Sequence, residues 1–381
     1  MSGVALLGGI AVAAWLYLIL LRGFFWLARE RDDVAHPGEP VRWPSVAAVV
    51  PARNEADVIA QSVGSLAGQD YPGPLRIVLV DDASDDGTAA AARALAGGAP
   101  LIVIEGRPLP AGWTGKLWAI SQGVEAASRD GPDYLWITDA DIAHSPGALR
   151  GLVSRAEAGG LALVTLMARL QTGTFAERLL IPAFVFFFDM LYPFAWVNDP
   201  RRRIAAAAGG CMLARRTALE AAGGVASIRA EIIDDCALGA RLKAQGPIWL
   251  GLTRTSVSLR PYRSVAEIGR MVSRSAYAQL RYSPLLLAGT LAGMLALYVA
   301  PPALVLLASG TARWLGLAAW ALMAASFQPM LRYYGRSPLW GAALPAIGAL
   351  YSAFTLKSAI DVWRGRGGMW KGRAQALAAA R

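Results

Sequence analysis

Long uncharged, mostly apolar runs lie at both ends of the chain. The four runs are Ser2–Leu21, Ser283–Ala312, Trp314–Leu331 and Ser337–Leu356. Because about 20 apolar residues cross the core of a bilayer as a helix, runs of this length indicate membrane-spanning segments. The pattern predicts an N-terminal transmembrane helix over 1–22, transmembrane or re-entrant segments over 283–362 and a basic tail over 363–381. Pro301-Pro302 should kink or break the first C-terminal segment.

Between these ends, short apolar strands alternate with helical stretches. Strand-like runs are Val46–Val50, Ile77–Val80, Leu101–Ile104, Tyr134–Thr138 and Leu161–Met167. Helix-like stretches are Ala56–Gln69, Thr88–Ala96, Leu117–Ala127 and Gly147–Glu157. This alternation predicts βαβ units, and therefore an α/β domain over 45–282 with a mostly parallel sheet. Ligands of such sheets bind beyond the carboxyl ends of the strands, which is where the polar motifs of this chain lie.

One further apolar stretch lies inside that domain, over 179–197. It is long enough to span a bilayer, but it contains Pro182, Asp189 and Pro193. We therefore expect an interfacial helix that lies in the plane of the membrane. A buried core helix is the alternative.

Composition excludes an ordinary soluble enzyme and a disordered chain. Hydrophobic residues make up 55% of the 381 residues and charged residues only 17%, and the mean hydropathy is +0.40. Typical soluble domains have about 45–50% and about 25% of these classes. The only cysteines are Cys211 and Cys236 and the only histidines His36 and His144, too few for a structural zinc site or a disulfide framework.

The net charge of +10 comes from basic residues beside the apolar runs rather than from a nucleic-acid-binding patch. These residues are Arg22, Arg29 and Arg31 after the first run, and Arg364, Arg366, Lys371 and Arg373 after the last. Positive charge after the first run places the middle domain in the cytoplasm. Three full C-terminal spans would then put the basic tail outside. Either one segment is interfacial or re-entrant, or the long first C-terminal run splits, or the tail breaks the positive-inside rule.

Acidic residues follow three of the predicted strands, at Glu55, at Asp81-Asp82 and at Asp139-Ala-Asp141. Acids at turns commonly cap helices. Asp139 and Asp141 differ, because two carboxylates one residue apart in a partly buried cleft require a cation. Mg²⁺ or Mn²⁺, which binds carboxylate together with phosphate oxygens, is the cofactor that this pair predicts.

Taken in order, five motifs resemble those of the family 2 glycosyltransferases with a GT-A fold, over about Ser45 to Arg274. The motifs are Pro51-Ala-Arg-Asn-Glu55, Val80-Asp-Asp-Ala-Ser-Asp-Asp-Gly-Thr88, Gly115-Lys-Leu-Trp-Ala-Ile-Ser-Gln-Gly123, Asp139-Ala-Asp141 and Asp234-Asp-Cys-Ala-Leu-Gly-Ala-Arg-Leu242. The resemblance implies an inverting transferase with a nucleotide-sugar donor, expected to be a UDP-sugar. It implies donor contacts from Pro51, Ala52, Arg53, Glu55, Asp81, Asp82, Lys116 and Asp139.

The chemistry of such a transfer explains these residue types. A metal held by Asp139 and Asp141 neutralises the charge that develops on the departing diphosphate. Lys116 is a second positive contact, or else a solvated helix lysine. An acceptor hydroxyl needs a base opposite the leaving group, and Asp235 is the candidate, oriented by Asp234. Helix capping is the alternative role for both acids.

The acceptor side is assigned to Gly209-Gly210, which resembles a glycine-rich acceptor segment, and to Phe184 and Phe187 of the interfacial helix. Membrane members of the family often carry an R-x-x-R-W or Q-x-x-R-W motif, whereas this chain has Arg270-Met-Val-Ser-Arg274 without the tryptophan. Arg270 and Arg274 are candidate diphosphate contacts, with an exposed basic face beside the membrane as the alternative. The missing tryptophan argues against a polymer synthase.

A wider pattern is similar to the hopene-associated glycosyltransferases of bacterial hopanoid gene clusters, which are related to ceramide glucosyltransferase-like enzymes. It includes Leu180–Phe194, Val197–Arg203, Arg107–Lys116 and Leu280–Leu287. The hypothesis is a multi-pass enzyme of the bacterial inner membrane that moves one sugar to a membrane lipid, with a hopanoid implied by the resemblance. The alternatives are a processive polysaccharide synthase and a non-catalytic membrane scaffold with a nucleotide-binding fold.

Overall fold

A computed structural model describes residues 3–34, 37–95, 100–371 and 373–374. His36 and most of the basic tail beyond Lys371 lie outside the described residues. The strands are β1 Val46–Ala52, β2 Leu75–Asp81, β3 Leu101–Glu105, β4 Tyr134–Ile137, β5 Ile142–His144, β6 Leu163–Arg169, β7 Met212–Arg215, β8 Ile248–Ser258, β9 Met369–Trp370 and β10 Arg373–Ala374. The α-helices are α1 Gly3–Leu21, α2 Ile59–Ala67, α3 Thr88–Arg93, α4 Gly115–Ala127, α5 Ala148–Gly159, α6 Phe175–Leu191, α7 Phe194–Asn198, α8 Arg216–Ala221, α9 Asp234–Lys243, α10 Val265–Ser273, α11 Ala276–Gln279, α12 Pro284–Met294, α13 Ala300–Leu307, α14 Gly310–Ser326, α15 Gln328–Tyr333 and α16 Leu344–Trp363.

The described residues form two compact units. The helical unit lies within Met1–Arg29, Thr172–Ala195 and Pro261–Gly368. The sheet unit lies within Glu30–Gln171, Trp196–Arg260 and Met369–Arg381. The helix α6, placed by the sequence inside the catalytic domain, therefore groups with the apolar helices.

The sheet unit contains one eight-stranded sheet in the order β3-β2-β1-β4-β7-β6-β8-β5. The strands β3, β2, β1 and β4 are parallel neighbours, and β6 runs parallel to β8. The short strand β7 is antiparallel to both β4 and β6, and β5 is antiparallel to β8. The α/β class with a mostly parallel sheet is confirmed. The sequence analysis did not include β5, β7 or β8, because two of them are very short and β8 has polar residues among its apolar ones.

Helices cover both faces of the parallel part of the sheet, so every residue of β1 is buried. Alternate residues of β1, such as Ala48 and Val50, pack in one core cluster with the apolar faces of α2 and α5. On the other face, α4 lies close to the sheet at Gly123. A Cβ built at Gly123 would lie 2.5 Å from Cγ1 of Val49 and 3.0 Å from Cγ2 of Val80. Glycine at this position permits the close approach of α4 and fixes the helix that carries Lys116.

The helical unit contains four helices that are long and apolar enough to cross a membrane. They are Gly3–Leu21, Pro284–Leu307, Gly310–Tyr333 and Pro338–Trp363. The second of them is continuous through Pro301-Pro302, but a π-turn over Leu295–Val299 separates α12 from α13 just before the two prolines. A proline has no N–H to donate within the helix, and the wider turn absorbs the mismatch. The position of these helices in a membrane stays a prediction.

The helix α6 is packed among aromatic rings of the helical unit. Phe187 is 8% exposed, and its ring meets Tyr298 and Tyr351 at centroid distances of 5.7 and 4.9 Å. Phe184 is half-buried, and Leu191 at the end of the helix is 46% exposed. The expectation that Phe187 lies on an open acceptor side therefore needs correction, because neighbouring helices cover its ring.

Candidate active site

The acidic motifs lie where β1, β2 and β4 end, at the carboxyl edge of the parallel strands. Pro51 and Ala52 are the last, buried residues of β1, and Asp81 is the last residue of β2. The backbone of Asp82 donates a hydrogen bond to the Ala52 carbonyl at 2.8 Å, which joins the two strand ends. Asp139 lies two residues after the end of β4. The sheet therefore gathers in one place the motifs that the sequence analysis assigned to a nucleotide site.

Arg53 and Asp81 each present one buried polar atom without a hydrogen-bond partner among the described residues. The atoms are Nε of Arg53 and Oδ1 of Asp81. The Arg53 guanidinium donates to the backbone carbonyls of Asp82 and, at 3.2 Å, of Ala83, so the arginine is held in place. Buried polar atoms normally find a partner, and one unpartnered donor together with one unpartnered acceptor at this edge of the sheet fits a polar ligand such as a nucleotide base.

The loops after β1 and β2 are tied together by side-chain hydrogen bonds. The Asn54 N–H donates to Ser84 Oγ at 3.0 Å, and the Glu55 N–H donates to Thr88 Oγ1 at 2.8 Å. Asn54 and Ala83 both have a positive φ, of 51° and 53°. For a non-glycine residue this conformation is uncommon and is found at sites that the surrounding structure over-determines. The bonds keep both loops in one shape at the predicted donor site.

Lys116 lies in the first turn of α4, after the capping residue Thr114. Its ammonium Nζ is 2.9 Å from Oδ1 of Asp139 and 3.1 Å from Oδ2 of Asp234. One cation therefore joins the D-x-D motif to the last acidic motif. The alternative of a solvated helix lysine does not describe this position, because the Lys116 side chain is only 17% exposed.

Asp235 occupies the first turn of α9 next to Asp234. The Gly209 N–H donates to Oδ2 of Asp235 at 3.1 Å, and the Cys236 N–H donates to Oδ1 at 2.7 Å. Burial, together with the charge of Asp234, raises the pKa of Asp235 to about 6. A carboxylate with a pKa near the working pH is suited to accept a proton.

A small cavity lies beside these groups. It is lined on its polar side by Lys116, Gly209, Asp234 and Asp235, and on its apolar side by a larger set: Leu117, Ile120, Ile137, Met212, Val225, Ile228 and Leu238. Gly210, the second glycine of the pair, accepts a hydrogen bond from Thr138 Oγ1 at 2.8 Å through its carbonyl. The glycine pair therefore connects the end of β4 to the base motif.

Asp141 is paired with an arginine that the sequence analysis missed. Arg260 follows β8, and its Nε lies 3.5 Å from Oδ2 of Asp141. The same guanidinium bonds to Glu55 and lies 3.7 Å from Oδ1 of Asp57. Burial and the neighbouring Asp139 charge raise the pKa of Asp141. The charged form of this partly buried carboxylate is disfavoured, and a cation bound nearby would stabilise it.

The D-x-D pair fits a divalent metal through its chemistry. Asp139 and Asp141 supply hard carboxylate oxygens, and Mg²⁺ is commonly bound by one or two carboxylates together with substrate phosphates. Within the described residues, no group of three or more His, Cys, Asp or Glu side chains forms a closed metal cage. The two aspartates are therefore an incomplete set of metal ligands, to which the oxygens of a diphosphate would be added.

Glu55 is an enclosed carboxylate of the first donor motif, with 7% of the residue exposed. Its Oε1 is 2.7 Å from Nζ of Lys371, and its Oε2 bonds to Arg260. Burial outweighs both cations and raises the pKa of Glu55. Lys371 was assigned to the basic tail, and no local pattern in the sequence relates it to Glu55.

Arg270 and Arg274 belong to the other compact unit. They lie on and just after α10 in the helical unit, where both are exposed. Their contact with a diphosphate stays a prediction. All other predicted polar site residues lie in the sheet unit.

The chain was compared with known families and structures. Residues 47–223 match the model of the family described as glycosyl transferase family 2. The solved mannosyltransferase PcManGT from Pyrobaculum calidifontis, in complex with GDP-Man and Mn²⁺, is similar with 22% identity and a TM-score of 0.57, over 93% of this chain and 99% of that chain. At this identity the likeness shows the fold. No curated protein matches the sequence.

Two further structures have lower scores. Glucosyl-3-phosphoglycerate synthase from M. tuberculosis is 20% identical with a TM-score of 0.40, over 62% of this chain and 80% of that chain. S. aureus TarS 1–349, in complex with UDP-GlcNAc, is 13% identical with a TM-score of 0.39, over 86% and 95%. These two likenesses carry no argument.

Proposed function

We propose that this glycosyltransferase, whose residues 47–223 match the family 2 model, transfers a single sugar from a nucleotide sugar to a membrane lipid with inversion. The observation that carries the proposal is that Lys116, Asp234 and Asp235 line one cavity, while the ammonium of Lys116 also pairs with Asp139. Positive charge for a leaving diphosphate and a candidate base for an incoming hydroxyl therefore lie at the same place.

On the donor side, Asp81 and Arg53 are proposed to hold the base, and Lys116 the diphosphate. Asp139 and Asp141 would hold Mg²⁺ or Mn²⁺, which acts as a Lewis acid toward the diphosphate when bound. The PcManGT complex with GDP-Man and Mn²⁺ supports a nucleotide-sugar donor and a divalent metal. A UDP-sugar is the donor that the family motifs favour.

In the transfer itself, the bond between the anomeric carbon and the diphosphate oxygen breaks, and the acceptor oxygen forms the new bond. Asp235 takes the proton of the acceptor hydroxyl. Its carboxylate is oriented by the Gly209 and Cys236 N–H groups. Attack opposite the leaving group inverts the anomeric centre.

A lipid acceptor is supported by the four apolar helices of membrane-spanning length. A hopanoid is the acceptor suggested by the family resemblance of Leu180–Phe194 and Val197–Arg203. The proposed location is the bacterial inner membrane, with several spans and with the sheet unit in the cytoplasm, because Arg22, Arg29 and Arg31 follow the first apolar helix.

The test is to incubate membranes that contain the full chain with a panel of radiolabelled nucleotide sugars, with and without Mg²⁺ or Mn²⁺. We expect one donor to label the chloroform-extractable fraction in steps of a single sugar. Label in long water-soluble chains would instead indicate a polysaccharide synthase. No label in lipid from any donor, beside an active control enzyme, would contradict the proposal. The matched control is membranes with the Asp235→Asn variant.

A further inference from the structure

The C-terminal segment returns to the sheet unit after the last apolar helix. Lys371 lies in the turn between β9 and β10, with a φ of 44°. Its Nζ donates to the Asn54 carbonyl at 3.0 Å and lies 2.7 Å from Oε1 of Glu55. Both partners belong to the loop after β1, which is the first motif of the donor site. Lys371, which follows the last apolar helix, therefore contacts the loop that forms the first motif of the proposed donor site.

The contact extends into a row of alternating charges. Lys371 pairs with Glu55, Glu55 pairs with Arg260, and Arg260 lies 3.5 Å from Asp141. The Lys371 side chain is 26% exposed, whereas that of Glu55 is 9% exposed. An enclosed carboxylate needs a positively charged partner to offset the cost of its burial. Removal of one partner of such an ion pair costs free energy, because the remaining charge is left without compensation. The row links the tail to the D-x-D motif.

Two cations, Lys371 and Arg260, pair with the carboxylate of Glu55. The presence of Lys371 therefore affects how strongly Glu55 attracts Arg260. With Lys371 present, one Glu55 oxygen is neutralised by the lysine, and Arg260 serves Asp141 as well as Glu55. Among the described residues, Lys371 and Arg260 are the cations that pair with Glu55. Without Lys371, Arg260 alone of these two would remain to pair with it. The guanidinium would then be drawn away from Asp141, where the donor diphosphate is proposed to bind.

We propose that Lys371 is a positioning residue of the donor site, which acts through Glu55 to hold Arg260 beside Asp141. The inference rests on the proposed function for the location of the donor. It adds that the segment after the last apolar helix completes the donor site, so that the enzyme binds its donor tightly only when this segment is in place.

The test uses the full-length protein in detergent micelles and the variants Lys371→Ala and Lys371→Arg. We expect Lys371→Ala to raise the KM for the donor about tenfold, the scale of a lost charge-assisted hydrogen bond, with kcat within about twofold of wild type. Lys371→Arg should restore the KM. Arg201→Ala, which removes an exposed cation that pairs with Asp199 at the surface of the same unit, is the matched control.

A double-variant measurement separates positioning from a structural role. Because Lys371 acts through Glu55, the Glu55→Gln and Glu55→Gln/Lys371→Ala proteins should have the same KM for the donor, and thermal unfolding should confirm that each is folded. Additive effects of the two changes would overturn the proposal. So would an unchanged KM in folded Lys371→Ala, or a lowered KM, which would mean that the tail competes with the donor.

Binding of nucleoside diphosphates provides a readout that does not depend on transfer. Calorimetry with UDP and GDP in the presence of Mg²⁺ should show about tenfold weaker binding to Lys371→Ala than to wild type. If no lipid is labelled by any donor but this difference holds, the proposed transfer fails and the role of Lys371 stands. If transfer is found and binding is equal in the two proteins, the role of Lys371 fails alone.

Discussion

Asp234 and Asp235 are neighbours in sequence but differ in what their carboxylates contact. Asp234 pairs with Lys116, whereas Asp235 accepts backbone hydrogen bonds from Gly209 and Cys236. Burial and the charge of Asp234 raise the pKa of Asp235 to about 6, although the charge of Lys116 acts in the opposite direction. Asp235 is therefore the proposed proton acceptor.

We therefore expect Asp235→Asn to lower turnover by about 10²–10⁴-fold, the usual scale for a general base, while donor binding survives. The base must be deprotonated to work, so wild-type kcat/KM should rise as the pH passes through about 6 and level off above it. The measurement is the rate of transfer to lipid between pH 5 and 8. Asp130→Asn, at an exposed surface pair, is the control. Wild-type turnover in Asp235→Asn would assign the base elsewhere.

The D-x-D pair leads to a second expectation at the same scale. Asp141 is partly buried, its pKa is raised by burial and by Asp139, and Arg260 pairs with it. If Asp139 and Asp141 hold Mg²⁺ or Mn²⁺, Asp141→Asn should remove most activity and EDTA should abolish transfer until metal is restored. The checks are transfer assays and calorimetric titration of Mn²⁺ into the wild type and the variant. Full activity in excess EDTA would refute the metal assignment.

Single residues also show where prediction from sequence ends. The acids were found because each follows an apolar strand, and strand ends can be located from local pattern. Arg260 was missed because its partner Glu55 is 205 positions away, and the partner of Lys371 is still farther. Contacts at such separations are set by the sheet order, which local periodicity does not encode.

At the scale of elements, the strands and helices of the parallel half were predictable, whereas β5, β7 and β8 were not. The helix α9 illustrates a second limit. Its C-terminal residue, Lys243, donates to the backbone carbonyls of Val197 and Ile204 at 2.6 and 2.8 Å, and to two others nearby. These bonds anchor the helix that begins with Asp234-Asp235. A lysine in the last turn of a helix is ordinary in sequence, so its anchoring role is visible only in the structure.

The helix α6 gives a prediction at the element scale. Phe187 is enclosed by Tyr298 and Tyr351, whereas Leu191 is 46% exposed. Phe187→Asp should lower the free energy of unfolding by about 3 kcal/mol or more, because it buries a charge without a partner. Leu191→Asp should leave the thermal stability near that of wild type and lower transfer to lipid more than donor hydrolysis. The two rates are compared in liposomes without detergent. Equal losses in both rates for Leu191→Asp would argue against a membrane contact at this end of α6.

At the scale of the whole molecule, the contact between Lys371 and Glu55 limits how the chain can cross a membrane. The two residues belong to the same compact unit, so the chain must return to the side it left. Three candidate spans lie between them, namely Pro284–Leu307, Gly310–Tyr333 and Pro338–Trp363. An odd number of crossings would separate Lys371 from Glu55. If these helices lie in a membrane, we predict that two of the three segments cross and one does not, which is one of the alternatives that the sequence left open.

From the contacts of α16, we predict that the segment within Pro338–Trp363 is the one that does not cross. The Ser273 hydroxyl of α10 donates to the Phe354 carbonyl of α16 at 2.9 Å, and the Tyr351 hydroxyl of α16 donates to the Leu180 carbonyl of α6 at 2.9 Å. The chain connects α6 to the sheet unit through short segments at both ends of the helix. It connects α10 to the sheet unit through a short segment at the N-terminal end of that helix. By contrast, α13 and α14 are joined by a two-residue connection and pack on each other and on α1, as expected of a hairpin of spanning helices.

We therefore expect three crossings in total, with α16 lying along the cytoplasmic surface. Cys211 and Cys236 are buried, and burial raises the pKa of both thiols, so they should react slowly and leave a low background for single-cysteine labelling. In spheroplasts, a membrane-impermeant maleimide should label Ser309→Cys from outside, and label Ser337→Cys and Arg366→Cys only after lysis. All three positions are exposed. Labelling of Ser337→Cys from outside would show that Gly310–Tyr333 does not complete its crossing, and labelling of Arg366→Cys from outside would contradict the return of the tail to Glu55.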